Sequence, residues 1–483
     1  MNDRLYRTLR NAILDGSLPA ASRLPATRSL AADLGIARNT AIYAYDQLLA
    51  EGYTHTRQGS GTFVTETLPD IYPHPDPDRT ATPHPAPQTP GLSERGSRIV
   101  QGASASPYQW GAFMPGVPDV TAFPHKKFGR IANALWRDPK PAMLSYSYGG
   151  GLPALRQALA EHLAITRSVD CTPGQILITE GSHQAIDLTT RILGNHGDTA
   201  WIEDPGYWGA QSIFDANGIC MKPRPVDRDG MILPTRIRGT APRFMFVTPS
   251  HQYPLGSVMS LSRRRQLLAL AHEAGGWIIE DDYDSEFRFS GRPISSLQGL
   301  EPNAPVIYLG TFSKTIYPGI RMGYMVLPGS LTGAFQAAIA ELYREGHLMT
   351  QAALATFISE GHYAAHIRRM RLRYRQRRQV LVDLIRRRLG PEWLHPYSSD
   401  AGLHVVLRLP DGMSDVKVVA AAHRRGVLTR PLSRYYLGKK GIEQGLVLGY
   451  ASVSEHDIIT HFEKLHDSLT DVYQHHRPRL NDN

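Results

Sequence analysis

Cysteine is nearly missing from this chain: 483 residues contain two, Cys171 and Cys220. Two thiols exclude a disulfide framework and a cysteine-rich zinc site, and point to a reducing, cytoplasmic setting. No run approaches the ~18 consecutive apolar residues that a membrane span needs, so no membrane association is expected. The opening MNDRLYRTLR carries Asp3 and lacks an apolar segment, which argues against a signal peptide. No internal repeat is found. Charge is not extreme either, with a formal net charge of +9 that permits nucleic-acid binding without requiring it. What is present, 42% hydrophobic and 20% charged residues over a length sufficient for two or three domains, is a globular composition.

The first 67 residues read as a small helical unit ending in a hairpin. Leu5, Leu9 and Ile13 recur at helical spacing. A short helix from Arg28 to Leu34 stops at Gly35, and a third runs from Arg38 to Glu51 with Tyr45, Leu48 and Leu49 inward and Arg38, Asn39 and Thr40 at an exposed start. GYTHTRQGSGTFV alternates about a Gly-Ser-Gly tip, as a β-hairpin wing does. Helix-turn-helix geometry suits DNA reading from the start of the second helix, and equally suits a small protein-binding domain. From Leu68 to Pro107 proline recurs every second or third residue, giving a semi-rigid linker or a ligand for a proline-recognising module.

From residue 108 to about 475 short apolar runs alternate with helical stretches. The runs are ILIT (176–179), AWIE (200–203), FMFV (244–247), WIIE (277–280), VIYL (306–309) and YMVL (324–327). The helix from Ser262 to Glu273 carries a serine suited to N-capping. This alternation predicts an α/β domain with a mostly parallel sheet covered on both faces.

Ligands of such sheets gather where strands end, and the chemistry-bearing residues fall there. Gly181 and Ser182 open a helix after ILIT, Tyr207 follows AWIE, Asp281 and Tyr283 follow WIIE, and Thr311, Ser313, Lys314 and Arg321 follow VIYL. A lysine for a Schiff base, a carboxylate for a pyridine nitrogen, a phenol for a ring oxygen, and hydroxyls, amides and a guanidinium for phosphate together make the set that pyridoxal phosphate needs. Each has a duller reading alone: Asp281 as a helix cap, Tyr207 as core, His183 as a satisfied buried histidine. No metal site is expected. The basic stretch HIRRMRLRYRQRRQVLVDLIRRR (366–388) is either a solvated face or a contact for DNA backbone.

Two resemblances extend these readings. LPATRSLAADLGIARNTAIYAYDQLLAEGY followed by RQGSGTFV resembles the winged helix of GntR-type bacterial regulators, which implies DNA contacts at Arg28, Arg38, Asn39, Thr40 and Gly59. EDPGYW, TPSHQYPLG, IIEDDYDSEF and GTFSKTIYPGIRMGY resemble the MocR/GabR family, in which that winged helix is fused to a fold type I, aspartate aminotransferase-like domain. The resemblance implies that Lys314 carries the internal aldimine, Asp281 pairs with the ring nitrogen, Tyr283 contacts the ring oxygen and Tyr207 stacks on the ring. Gly181, Ser182, Thr311, Ser313 and Arg321 would hold the phosphate, and Tyr146, in YSYGGGLPALR, would reach the neighbouring subunit's phosphate in a head-to-tail homodimer. The family's enzymes keep an asparagine where this chain has Tyr253, and a carboxylate-gripping arginine where it has Val447; Arg430 and Arg434 are the candidates to replace the latter. The implied function is a cytoplasmic regulator that binds operator DNA and senses an amino compound through an external aldimine, with at most a weak half-transamination. The alternatives are a working aminotransferase with an accessory DNA-binding domain, and a DNA-binding protein whose large domain only dimerises.

Overall fold

A computed structural model describes residues 2–66, 91–101, 109–291 and 294–476. The chain divides into two compact units, Met1–Gly91 and Leu92–Asn483. The expected linker residues 68–90 and 102–107, with the domain boundaries drawn at 67/68 and 107/108, lie outside the described residues.

In the first unit, helices α1 (Asn2–Leu14), α2 (Thr27–Asp33) and α3 (Arg38–Ala50) precede a hairpin of β1 (Thr54–Arg57) and β2 (Gly61–Val64). Gly35, at φ +62°, ends α2 in the left-handed region, and the Ile36 amide turns back to the Ala31 carbonyl at 3.0 Å. The core gathers Ile13, Leu24, Tyr45, Leu48, Tyr53 and Val64. Complete burial of a side chain such as Leu48 contributes about 2 kcal/mol. The inward arc of α3 is Ala41, Ala44, Tyr45 and Leu48, spaced i, i+3, i+4, i+7. Leu49, expected inward, is 42% exposed because it falls 100° past Leu48 on the helix wheel.

The second unit opens with α4 (Glu94–Gln101), so the proline-rich stretch is not linker throughout: this helix sits inside it, with Arg98 3.8 Å from Asp215. Helices α5 (His125–Arg137) and α6 (Pro153–Arg167) lead into β3 (Ile176–Thr179), α7 (Ser182–Leu193), β4 (Thr199–Asp204), α8 (Trp208–Ala216), β5 (Cys220–Asp227), β6 (Gly230–Met231) and β7 (Phe244–Val247). Then come α9 (Leu261–Ala274), β8 (Trp277–Asp282), β9 (Val306–Thr311) and β10 (Gly323–Val326). Ser260, one step before α9, is its N-cap and accepts from the Arg263 amide at 3.3 Å; the expected cap, Ser262, lies inside the helix.

The eight strands order as β3-β10-β9-β8-β7-β4-β5-β6. The pairs β5/β4, β4/β7, β7/β8 and β8/β9 are parallel, while β10 runs antiparallel to both its neighbours and β6 to β5. Five of the six apolar runs lie wholly within these strands and the sixth passes the end of β10 by one residue, Leu327; those of β3, β7 and β9 are buried on both faces, as a sheet covered by helices requires. Strand order reverses between β4 and β7, the switch point at which such sheets open a crevice.

Helices α10 (Thr332–Leu342), α11 (Leu348–Ser359) and α12 (His362–Arg388) follow, then β11 (His404–Arg408), α13 (Asp415–Arg424), β12 (Arg430–Pro431), β13 (Gly445–Gly449) and α14 (Glu455–His476). The last three strands form a second sheet, ordered β11-β13-β12. The basic helix α12 is not simply a solvated face. Its Tyr374, Arg377, Arg378, Leu381 and Ile385 are buried, with Arg377 2.9 Å from Asp119 and Arg378 2.6 Å from Asp400. Among the described residues no helix is long and apolar enough to cross a membrane.

Candidate functional site

One cavity of about 380 Å³ collects the ends of β3, β4, β7, β8 and β9. Asp281, near the end of β8, is 4% exposed, and its Oδ1 has no hydrogen-bond partner. Burial, reinforced by the charge of Asp282, pushes its pKa up to about 7, against the pull of Lys314. A bare carboxylate in that position calls for a cationic donor to pair with it.

Lys314 lies three residues past β9 and donates to the carbonyl oxygen of Gly116 at 2.9 Å. Burial lowers its pKa, while Asp284 and Asp281 oppose the shift. A lysine moved this way has a larger share of neutral, nucleophilic amine than a solvated one. Tyr283 also lines the cavity, and its hydroxyl is 2.9 Å from His251 Nδ1. Tyr207, after β4, presents its ring to the cavity and shares a 2.7 Å hydrogen bond with His183 Nε2. His183 is therefore a satisfied histidine, and burial lowers its pKa, aided by Arg321 and Lys314.

The opposite corner is built for an anion. Gly181, at φ +93°, is the N-cap of α7 with no side chain closing the helix end, so the first amides of α7 stay open beside Ser182. Thr311, Ser313 and Arg321 line the same cavity. Arg321 adopts φ +47°, a left-handed conformation costly for a non-glycine, and its Nη2 donates to the Glu180 carbonyl at 2.9 Å. Strain of this kind persists where the surroundings fix a side chain in place.

Arg430 lines the cavity and Arg434 does not. Arg434 faces a neighbouring cavity of about 270 Å³ beside Val416 and Val419 of α13, which Arg430 also borders. Tyr146 is also outside, 77% exposed, with the Arg344 guanidinium 5.3 Å from its ring. Gly116 and Tyr435 line the larger cavity without having been singled out in the sequence, as does Thr248, which opens the motif TPSHQYPLG without being assigned a role. Gly116 stands 198 residues from Lys314, and only a Pro-Gly turn marked it. Tyr253 lines the cavity with its hydroxyl 3.1 Å from that of Tyr435.

No metal was expected, yet among the described residues His251, Asp284 and His404 bring donor atoms within 4.8 Å of one another, all buried. Their contacts include internal hydrogen bonds, His251 Nδ1 to Asp284 at 3.0 Å and His404 Nε2 to the Pro254 carbonyl at 2.8 Å.

In the first unit Arg28 on α2 and Arg38 and Asn39 at the start of α3 are exposed, and Gly59 turns the wing tip at φ +76°. Thr40 departs from the expected exposure: it is 6% exposed, on the side of α3 that also buries Ala41 and Ala44.

Comparison with known proteins gives the same two parts. Residues 1–64 match the bacterial regulatory proteins of the gntR family, and residues 125–458 match aminotransferase class I and II. The probable rhizopine catabolism regulatory protein MocR of Rhizobium meliloti is 42% identical over 94% of this chain and 90% of its own length. The pyridoxine biosynthesis transcriptional regulator PdxR of Corynebacterium glutamicum is 31% identical over 94% of this chain and 92% of its own length. Among solved structures, LysN, the α-aminoadipate aminotransferase of Thermus thermophilus complexed with N-(5'-phosphopyridoxyl)-L-leucine, superposes with a TM-score of 0.67 at 26% identity, covering 79% of this chain and 96% of LysN.

Proposed function

This chain belongs to the MocR-type transcription regulators, a GntR helix-turn-helix joined to an aminotransferase-like domain, and we propose that its large domain holds pyridoxal phosphate and senses an amino compound with it. The observation that carries this reading is one cavity containing a half-buried lysine amine, a buried carboxylate oxygen without a partner, and an anion corner. The phosphopyridoxyl ligand of LysN, on the same fold, supports it.

Bound here, the cofactor would supply an aldehyde that condenses reversibly with amines. Lys314 would offer the neutral amine, and Asp281 would gain at the ring nitrogen the donor it lacks. Tyr283 would direct its hydroxyl at the ring oxygen, and Tyr207 would stack on the ring. Gly181, Ser182, Thr311, Ser313 and Arg321 would bind the phosphate. Tyr146, exposed in one protomer, would complete the same corner in the neighbouring subunit of a homodimer. Arg430 would hold the acidic end of the effector. Operator DNA would be met in the cytoplasm by Arg28, Arg38, Asn39 and the Gly59 wing. The effector can shift operator binding by no more than its differential affinity for the two arrangements of the dimer.

Visible absorbance of the purified protein, with and without added pyridoxal phosphate and then titrated with a panel of amines, tests this reading. Lys314→Ala should abolish the absorbance and the amine response while leaving operator binding within a few-fold. A protein that stays colourless with the cofactor, or an alanine variant that loses DNA binding, counts against it.

Arg430 in the cavity favours one alternative, turnover as an aminotransferase, because it restores a carboxylate-binding cation. Steady-state amino transfer from a common amino acid to a keto acid at ordinary enzyme rates would establish that instead; a single slow half-reaction would not.

A further inference from the structure

Tyr283 lines the cavity, and its hydroxyl meets a side chain that does not. His251 Nδ1 lies 2.9 Å from Tyr283 Oη and 3.0 Å from Asp284 Oδ2. The His251 and Asp284 side chains are 3% and 1% exposed, so the contacts of His251 with Tyr283 and Asp284 are made away from bulk water.

One ring nitrogen carries either a hydrogen or a lone pair. With the hydrogen on Nδ1, an ionised Asp284 accepts it, and the phenol must direct its own hydrogen elsewhere, toward the cavity. With Nδ1 bare, its one lone pair accepts from either the phenol or a protonated Asp284, and when the phenol is the donor the cavity loses that hydrogen. The protonation of one buried pair thus selects the direction of one O–H bond.

The surroundings hold the pair together. Gly402, at φ +78°, is packed so closely that a Cβ there would lie 2.1 Å from His251 Cε1 and 2.7 Å from Asp284 Oδ2. Its carbonyl is held in turn by the Tyr450 hydroxyl at 2.6 Å. The His404 ring, centred 5.2 Å from that of His251, donates through Nε2 to the Pro254 carbonyl. Burial and the proximity of His251 push its pKa down to about 3, so it adds no charge on that side.

We propose that His251, backed by Asp284, is a positioning residue that aims the Tyr283 hydroxyl into the cavity and so sets how strongly the pocket polarises the oxygen of a bound pyridoxal ring. This rests on the cofactor reading above, and it adds two residues that touch neither the cavity nor its contents.

The test uses the full-length protein loaded with pyridoxal phosphate and reads, at one fixed pH, the ratio of the long- to the short-wavelength band of the lysine-bound cofactor. Circular dichroism and operator binding serve as controls for folding. His251→Phe should move the ratio in the same direction as Tyr283→Phe, by roughly two- to tenfold, the equilibrium effect of one neutral hydrogen bond. Added to Tyr283→Phe it should change nothing further, because the phenol through which it acts is gone. His251→Asn, whose amide can replace the Nδ1 donor, should restore most of the wild-type ratio. A wild-type ratio in His251→Phe, or a full additional effect in the double variant, overturns the proposal. Should His251→Phe fail to fold, Asp284→Asn keeps the shape of its site and is expected to shift the ratio the same way; no shift there overturns it equally. A colourless wild-type protein sinks the cofactor reading itself, and is recognised without any variant.

Discussion

Arg430 on β12 stands directly across the strand pair from Val447 on β13. The family resemblance implies a carboxylate-binding arginine at the position of Val447, and Arg430, its neighbour across the pair, lines the cavity. Arg430→Met should weaken binding of carboxylate- or sulfonate-bearing amines by roughly ten- to a hundredfold, the worth of a charge-assisted pair, and leave simple amines and cofactor absorbance little changed. Arg434→Met should alter neither. Spectral titration of the three proteins with matched acidic and uncharged amines measures this.

Asp281 is the buried carboxylate with the clearest need for a partner. Its raised pKa means that the cofactor-free native protein holds a proton there which the unfolded chain releases, so stability falls as pH rises from about 4 to about 7 and the loss is complete above. Each tenfold change in proton affinity is worth about 1.4 kcal/mol. Asp281→Asn should therefore stabilise the cofactor-free protein at pH 8, by roughly 2 to 4 kcal/mol, while weakening retention of pyridoxal phosphate. Thermal unfolding with and without the cofactor reads both effects, which have opposite signs.

Lys314 gives the complementary pH dependence. Its pKa is lowered by burial, and only the neutral amine attacks a carbonyl. Capture of pyridoxal phosphate by the cofactor-free protein should accelerate with rising pH and level off at a midpoint below that of an ordinary lysine. Stopped-flow absorbance across a pH series checks it; a midpoint at the solvent-exposed value would contradict the burial.

In the winged helix, Arg38 and Thr40 are separated by burial rather than by sequence. Arg38→Ala should cost about 1 to 3 kcal/mol of operator binding and relax preference at one base pair. Thr40→Arg should lower the unfolding temperature of the domain, because its site is enclosed. Gel-shift titration and calorimetry distinguish the two.

Asp119 gathers Arg373 at 3.1 Å and Arg377 at 2.9 Å, accepts from Thr121, and sits beside Tyr374, whose hydroxyl accepts from the Asp119 amide. Although burial pushes its pKa up, the Thr121 hydroxyl and the Arg377 charge bring it below the usual carboxylate value. Asp119→Ala takes the nearest carboxylate from a buried guanidinium, leaving Arg377 the Ala451 carbonyl and Glu455 at 3.8 Å, and should cost about 3 kcal/mol. Chemical denaturation at neutral pH would show it, and stability should decline as pH falls through the carboxylate range, where the wild-type pair is lost.

The order and chemistry of the site were legible in the chain because a parallel sheet announces itself twice, by apolar runs buried on both faces and by ligand groups at their ends. Lys314, Asp281, Tyr283 and Tyr207 needed only that rule, and α2 needed only Gly35. Short-range periodicity also misled where one residue decides a face. Thr40 and Leu49 are each one 100° step from the expected side of α3, and the cap of α9 is Ser260, two residues before the serine that looked right.

Local alternation, turn residues and motif spacing determined the two-part architecture, the strand ends and most of the polar side chains that line the cavity, because each depends on neighbours a few residues apart. Closure of the chain alone decided which arginine faces the cavity, that Gly116 receives the Lys314 amine, that α12 buries two guanidinium groups, one against the buried Asp119 and one against the exposed Asp400, and that His251 and Asp284 converge behind Tyr283. Those contacts join residues from distant elements, and no periodicity along a chain encodes which side chains packing will place within 3 Å of one another.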